Sequence, residues 1–237
     1  VILVGLFSFV ATNLLFPILS RAAASGDRAE SARLTRQSIK TLCFLIVPLT
    51  AGVFLLAEPF VALLYERGAF THEDTLLTAE ALRFYTLAMT ASAINEVLTK
   101  SFFAAQKPKL PMLSALCAML VNGGAILFCG SAILESAHPV AWIASISGIA
   151  VVVNMGVNLA FTKKIGGLSV TRADLLDLAR TAVSAAVMSV AVYFVSGRFS
   201  GNLARFAAGG LSGIVVYALC AVLLRSETVG AVLHKRK

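Results

Sequence analysis

The sequence predicts an all-α integral membrane protein of about seven transmembrane helices, and two observations predict it. Hydrophobic residues make up 58% of the 237 residues and charged ones only 14%. The mean hydropathy of +0.87 lies outside the range of soluble globular domains. Six long runs, 1–20, 41–57, 110–134, 139–162, 181–197 and 206–224, contain no Asp, Glu, Lys or Arg. A helix of about 20 apolar residues crosses a bilayer core. A β-barrel strand would alternate apolar and polar residues over about ten positions, whereas these runs are apolar on every face.

Taken in order, the run 1–20 opens without Met and already within apolar sequence. A signal peptide needs a basic segment ahead of its apolar core, so this run is expected to be a truncated helix at the start of a fragment. A basic loop, "RAAASGDRAESARLTRQSIK", follows, and 41–57 is the second span. Pro59 is expected to break the chain away from that span. "EPFVALLYERGAF" then reads as an interfacial helix turning at Gly68. In "THEDTLLTAEALRFY", Thr71 and Asp74 have capping-box spacing, so the third span begins near Thr71 to Thr75. That span runs from 76 to about 105 and is the least clean, carrying Glu80, Arg83, Glu96 and Lys100. The runs 110–134, 139–162, 181–197 and 206–224 complete the seven. Gly52, Gly123, Gly124, Gly148 and Gly156 within the spans are expected to permit close helix approach.

The basic residues give the orientation. Arg21, Arg28, Arg33, Arg36, Lys40, Lys100, Lys107, Lys109, Lys163, Lys164, Arg172, Arg180, Arg225, Lys235, Arg236 and Lys237 all fall on one side. Only Arg67, Arg83, Arg198 and Arg205 fall on the other. The positive-inside rule makes the first side, with the C-terminal tail, cytoplasmic. The net charge of +8 follows from this asymmetry and from attraction to anionic headgroups, so no nucleic-acid partner is expected.

Catalytic chemistry finds no footing. No Ser-His-Asp order, HExxH, P-loop or GxGxxG is present, and Cys43, Cys117, Cys129 and Cys220 lie singly in apolar runs, as buried structural thiols would. No enzyme activity, cofactor or metal is expected. Any transport would draw on a monovalent cation gradient, the membrane potential or substrate flux.

The candidate substrate-pathway residues are the polar points within the spans. Glu96 is the one acid well inside an apolar span and stands beside Asn95. Intramembrane ionisable residues mark pathways, yet Lys100 lies four residues on, at the spacing of a structural ion pair. Asn122, Asn154 and Asn158 add amides to otherwise apolar helices, where interhelical hydrogen bonding is the commoner role. Arg67, on the outer turn, could meet an anionic headgroup or be merely solvated.

Residues 63–88, "LLYERGAFTHEDTLLTAEALRFYTLA", resemble the hallmark segment of the MurJ/MviN family of lipid II flippases. The matching residues are Leu63, Leu64, Arg67, Gly68, Phe70, Thr71, Asp74, Thr75, Ala81, Leu82 and Tyr85. "ATNLLFPILSRAAASGD" and "FFAAQKPKLPM" are similar to two flanking family segments, the second departing from the family at Lys107 and Leu110. The resemblance implies the second half of a fourteen-helix MATE-like transporter. Residues 1–162 would then be five helices of the C-terminal lobe, and 163–237 two further helices bordering a lipid-tail groove, with a basic cytoplasmic tail.

The implied function is movement of lipid II, an undecaprenyl-linked peptidoglycan precursor, from the inner to the outer leaflet of a bacterial cytoplasmic membrane. Alternating access would accomplish it, in cell-wall biosynthesis. The implied partners are this precursor, membrane lipids and an N-terminal lobe of the same protein, which would supply the main headgroup ligands. The family's sodium site would find here only Asn122 and Asn154. Two alternatives stand beside this reading: another exporter of the superfamily, for lipid-linked polysaccharide or cationic drugs, and a non-transporting scaffold for cell-wall enzymes.

Overall fold

A computed structural model describes residues 28–224, except 137, 166, 169 and 170, together with 17, 20 and 21. The expected first span, apart from positions 17 and 20, and the basic tail lie outside the described residues. Among the described residues the chain forms eight α-helices and one short 3₁₀ turn, with no strand. The helices are α1 (Arg28–Leu55), α2 (Ala57–Tyr65), α3 (His72–Leu87), α4 (Met89–Ala104), α5 (Lys109–Glu135), α6 (Pro139–Phe161), α7 (Arg172–Ser196) and α8 (Asn202–Leu223). Five of them, α1, α5, α6, α7 and α8, are long and apolar enough to cross a membrane.

Helix α1 begins earlier than the charge pattern implied. Arg33, Arg36 and Lys40 lie on its first turns rather than in a loop. Ala29, Ala32, Arg33, Leu34, Arg36 and Gln37 in this segment favour helix, and Glu30 pairs with Arg33 at 2.8 Å. The charges mark where the helix leaves the hydrocarbon, not where it ends.

The chain bends at Leu56 (φ −97°, ψ 16°), and α2 departs from there. Pro59 is not the breaking point. It sits in the first turn of α2, where its missing N–H needs no intrahelical partner. Ala57 and Val61 of α2 bury against Ala79 of α3, with Phe60, Phe70 and Leu82 around them. Gly68 adopts φ +64°, a left-handed conformation that disfavours any side chain, and so turns the chain towards α3.

The third expected span is two helices of 16 residues each, α3 and α4, divided at Ala88. The Ala88 N–H bonds to the Tyr85 carbonyl three residues back, which tightens and ends α3. The Thr86 hydroxyl donates to the Arg83 carbonyl at 2.7 Å, and such a bond bends a helix. The break nests against α6, where a Cβ on Gly148 would stand 3.6 Å from the Ala88 Cβ. Gly148 thus fulfils the close-approach expectation, and Gly52 borders Met188. Gly123, Gly124 and Gly156 face open space within this chain.

Helices α7 and α8 lie side by side and close on α1. Gly209 and Gly213 form a G-x-x-x-G stripe on α8. A Cβ at Gly213 would stand 3.0 Å from Val192, and one at Gly209 would stand 2.9 Å from Leu56. The bend at Leu56 is therefore packed between α7 and α8, with Met188 and Val192. Tyr217 donates to the Phe44 carbonyl at 2.6 Å and binds α8 to α1. By contrast α5 turns most of its surface outward, with Leu127 87% and Phe128 91% exposed. Cys43 is buried as expected, but Cys117 on α5 is exposed.

Candidate functional site

The polar residues of α4 and α6 meet inside the bundle. Asn154 and Asn158 are four positions apart on α6, which places both amides on one helical face. Asn158, only 1% exposed, donates from Nδ2 to the Asn95 Oδ1 on α4. A longer contact of 3.4 Å reaches the Asn154 Oδ1. The Asn158 Oδ1 is buried without a hydrogen-bond partner, an acceptor left over in the interior. In an apolar medium such an amide bridge contributes about 1–2 kcal/mol to helix association, and it fixes the α4–α6 register.

Glu96 stands next to this group but on a different face. Its Oε1 lies 3.3 Å from the Lys100 Nζ, with side chains 30% and 19% exposed. Asn122 on α5 has a buried, unpartnered Oδ1 and is not hydrogen-bonded to the α4–α6 amides. Arg67 is exposed on the turn between α2 and α3, and its backbone holds that turn: its N–H bonds to Tyr65 at 2.7 Å, and its carbonyl accepts from Phe70 at 3.2 Å. Of the five sequence candidates, then, the structure joins Asn95 and Asn154 through Asn158. It sets Glu96 beside them in its own ion pair and leaves Asn122 and Arg67 apart. Among the described residues, no group of three or more His, Cys, Asp or Glu could hold a metal.

An ionic network that the sequence reading did not anticipate binds α7 to α1. Thr171 caps α7 with Asp174 in a full capping box, repeating the Thr71–Asp74 box of α3. The Lys40 Nζ lies 2.8 Å from Asp177 and 3.2 Å from Asp174. Arg36 approaches Asp174 at 3.6 Å, and Arg180 approaches Asp177 at 3.3 Å. Asp177 is 4% exposed, so its charge depends on these partners. The signal was legible in "TRADLLD", where an acid pair opens an apolar run opposite a basic segment.

The opposite end of the bundle has its own polar ties. Glu58 of α2 accepts from Arg205 of α8 at 3.1 Å and lies 4.0 Å from Arg83 of α3. Two of the four arginines on the sparsely basic side are thereby matched by one carboxylate. His138 contacts Glu80 at 2.9 Å, and Glu66 accepts from Thr75 at 2.9 Å and lies 3.3 Å from His72. Hydrogen bonding from the Thr75 hydroxyl, then from His72, holds the Glu66 carboxyl below its ordinary range. Arg83 and Arg205, which the basic residues had placed on the same side, thus both approach Glu58.

The family model described as "Lipid II flippase MurJ" matches residues 1–209. The "Lipid II flippase MurJ" of Thermosipho africanus (strain TCF52B) is 28% identical over 98% of this chain and 45% of its own length. The "Probable lipid II flippase MurJ" of Thermotoga maritima is 27% identical over the same shares. That of Rhizobium meliloti (strain 1021) is 32% identical over 50% of this chain and 22% of its own. A solved structure described as "Lipid II flippase MurJ, inward closed conformation" superposes with a TM-score of 0.77 at 25% identity. It covers 94% of this chain, which in turn covers 44% of it. The chain thus spans less than half the length of the full-span relatives it matches.

Proposed function

The chain belongs to the lipid II flippase MurJ family, and on that footing we propose that it forms one lobe of a lipid II flippase. The observation that carries this reading is the family match across residues 1–209. The flippase would move the undecaprenyl-linked precursor from the inner to the outer leaflet of a bacterial cytoplasmic membrane, with the C-terminus on the cytoplasmic side. Its work is transport, with no covalent step. A pyrophosphate-linked sugar headgroup cannot cross hydrocarbon unaided, because moving a charge there costs several kcal/mol or more. A cavity between this lobe and a partner lobe would carry the headgroup while α7 and α8 border the tail.

Alternating access needs segments that pivot. The bends at Leu56 and Ala88 would supply two, the first seated against Gly209 of α8 and the second against Gly148 of α6. A monovalent cation gradient or the membrane potential would drive the cycle. The main headgroup ligands would lie on the partner lobe, and the α4–α6 amides would hold those two helices in register while the chain pivots at the bends.

Depletion of the full-length protein is the test. In cells that rely on it, lipid II labelled by a membrane-impermeant reagent should cease to appear on the outer leaflet. Appearance at the normal rate would remove the flippase reading. Within that assay Glu96→Gln should still support growth, because Glu96 is engaged with Lys100. Loss of growth at normal protein level would place Glu96 on the substrate path.

A further inference from the structure

The two basic patches at the densely basic end of the bundle differ in how their charge is met. Arg36, Lys40 and Arg180 each pair with Asp174 or Asp177, two acids among three cations. Lys107, Lys109, Lys163 and Lys164 are exposed, and among the described residues none of them forms an ion pair. Lys107 lies on the turn between α4 and α5, Lys109 opens α5, and Lys163 and Lys164 lie on the 3₁₀ turn after α6; the fold holds these segments together. Leu98, Phe102 and Leu110 pack there with Phe161, Ile165 and Leu168. Lys107 Nζ donates to the Lys164 carbonyl at 2.5 Å, and Lys164 Nζ stands 4.9 Å from the Phe161 ring centroid. Neither contact neutralises a charge, since a carbonyl and a ring face are both uncharged.

We infer that this lysine cluster is a binding site for the headgroup of an anionic phospholipid, whose acyl chains lie along the outward face of α5. Charge complementarity calls for an anion that the protein does not supply. The neighbouring surface favours a lipid: within this chain, on the turns of α5 next to Lys109, Met112 is 64% exposed, Leu113 44% and Leu116 50%. A headgroup phosphate on the amines would leave its acyl chains against this apolar wall. A soluble phosphate would gain nothing from it. The site would anchor the α5–α6 side of the lobe to its leaflet, on a different helix pair from the α7–α8 side.

The test uses the full-length protein in nanodiscs of equimolar phosphatidylglycerol and phosphatidylcholine, with the lipids that co-purify after detergent extraction counted by native mass spectrometry. The unmutated protein should retain phosphatidylglycerol in preference, and the preference should fall as salt rises. Replacing Lys107, Lys109, Lys163 and Lys164 together by Gln should abolish most of it, each lysine contributing about fivefold near a charged surface. Replacing the same four by Arg should keep the preference and so guards against a folding defect. Equal retention of both lipids by the unmutated protein, or an unchanged preference in the Gln variant, would overturn the site. Displacement of phosphatidylglycerol by millimolar inorganic pyrophosphate would overturn the lipid assignment in favour of a soluble phosphate.

Discussion

Two helices of this chain start with the same four-residue device, and the fold uses it differently. Thr71 and Asp74 open α3; Thr171 and Asp174 open α7. In each, the threonine N–H reaches the aspartate, at 2.8 Å in the first and 2.9 Å in the second. Around Asp74 nothing further is required of the acid, and the box merely starts one helix on an exposed turn. Around Asp174, Lys40 and Arg36 arrive from α1, and one helical turn on, Asp177 is buried with them. The same local signal is only a start mark in one place and half of an interhelical clamp in the other. Tertiary neighbours, not the motif, decide which.

The largest effect should come from breaking the clamp. Lys40→Met leaves Asp177 buried without its 2.8 Å ammonium, and unfolding of the full-length protein in detergent should show a loss of about 3 kcal/mol. Asp74→Ala, at the other box, should cost clearly less in the same measurement, because that acid is exposed and meets no cation from another helix. Equal losses would mean that the two boxes are equivalent after all.

The clamp acts together with the close packing of α7 on α8, so Gly213→Ala should cost about 1–2 kcal/mol, because Val192 stands 3.0 Å from the new methyl. Gly210→Ala, with nothing within 4 Å, should be neutral or slightly stabilising in the same measurement.

At the caps themselves, Thr71→Ala should cost about 1 kcal/mol, and Thr171→Ala somewhat more because it also frees Asp174. Thermal unfolding of the two variants side by side would show whether the order is reversed. The smallest effect concerns pH. Glu66 has a lowered carboxyl pKa in the folded state, so its contribution is present above the ordinary carboxylate value and disappears as pH falls through the lowered one. Thr75→Val should flatten that acid limb of a stability-versus-pH curve; an unchanged limb would assign it to other carboxylates.

Much of this architecture was legible in advance. Long apolar runs announced the spans, and the capping box at Thr71 and the turn at Gly68 were written in residue types with strong local preferences. The division at Ala88 was not legible: "YTLAMTAS" contains no Pro or Gly, and the break is set by Thr86 and by Gly148 on another helix. Of the site, Asn95, Asn154 and Asn158 were identified singly, but their meeting depends on how α4 and α6 pack. The Glu96–Lys100 pair was visible from spacing alone. The clamp around Asp177 was missed because its partners lie far apart in sequence, and basic residues near a membrane invite a topological reading before a structural one. The G-x-x-x-G of Gly209 and Gly213 stood in plain sight.

The division at Ala88 bears on how the chain enters the membrane. A helix of 16 residues is about 24 Å long, short of the roughly 30 Å hydrocarbon core. The pair α3 and α4 also carries Glu80, Arg83, Glu96 and Lys100. Such a segment is a poor substrate for lateral release from a translocon. It is expected to linger at the protein-conducting channel until α6, emerging some 35 residues after α4 ends, presents Gly148 to Ala88 and Asn158 to Asn95. Insertion of this lobe is then ordered by the later helix rather than by the sequence in which the ribosome delivers the spans. A nascent chain arrested before α6 should remain crosslinked to the channel through α4, and one arrested after α6 should be free of it.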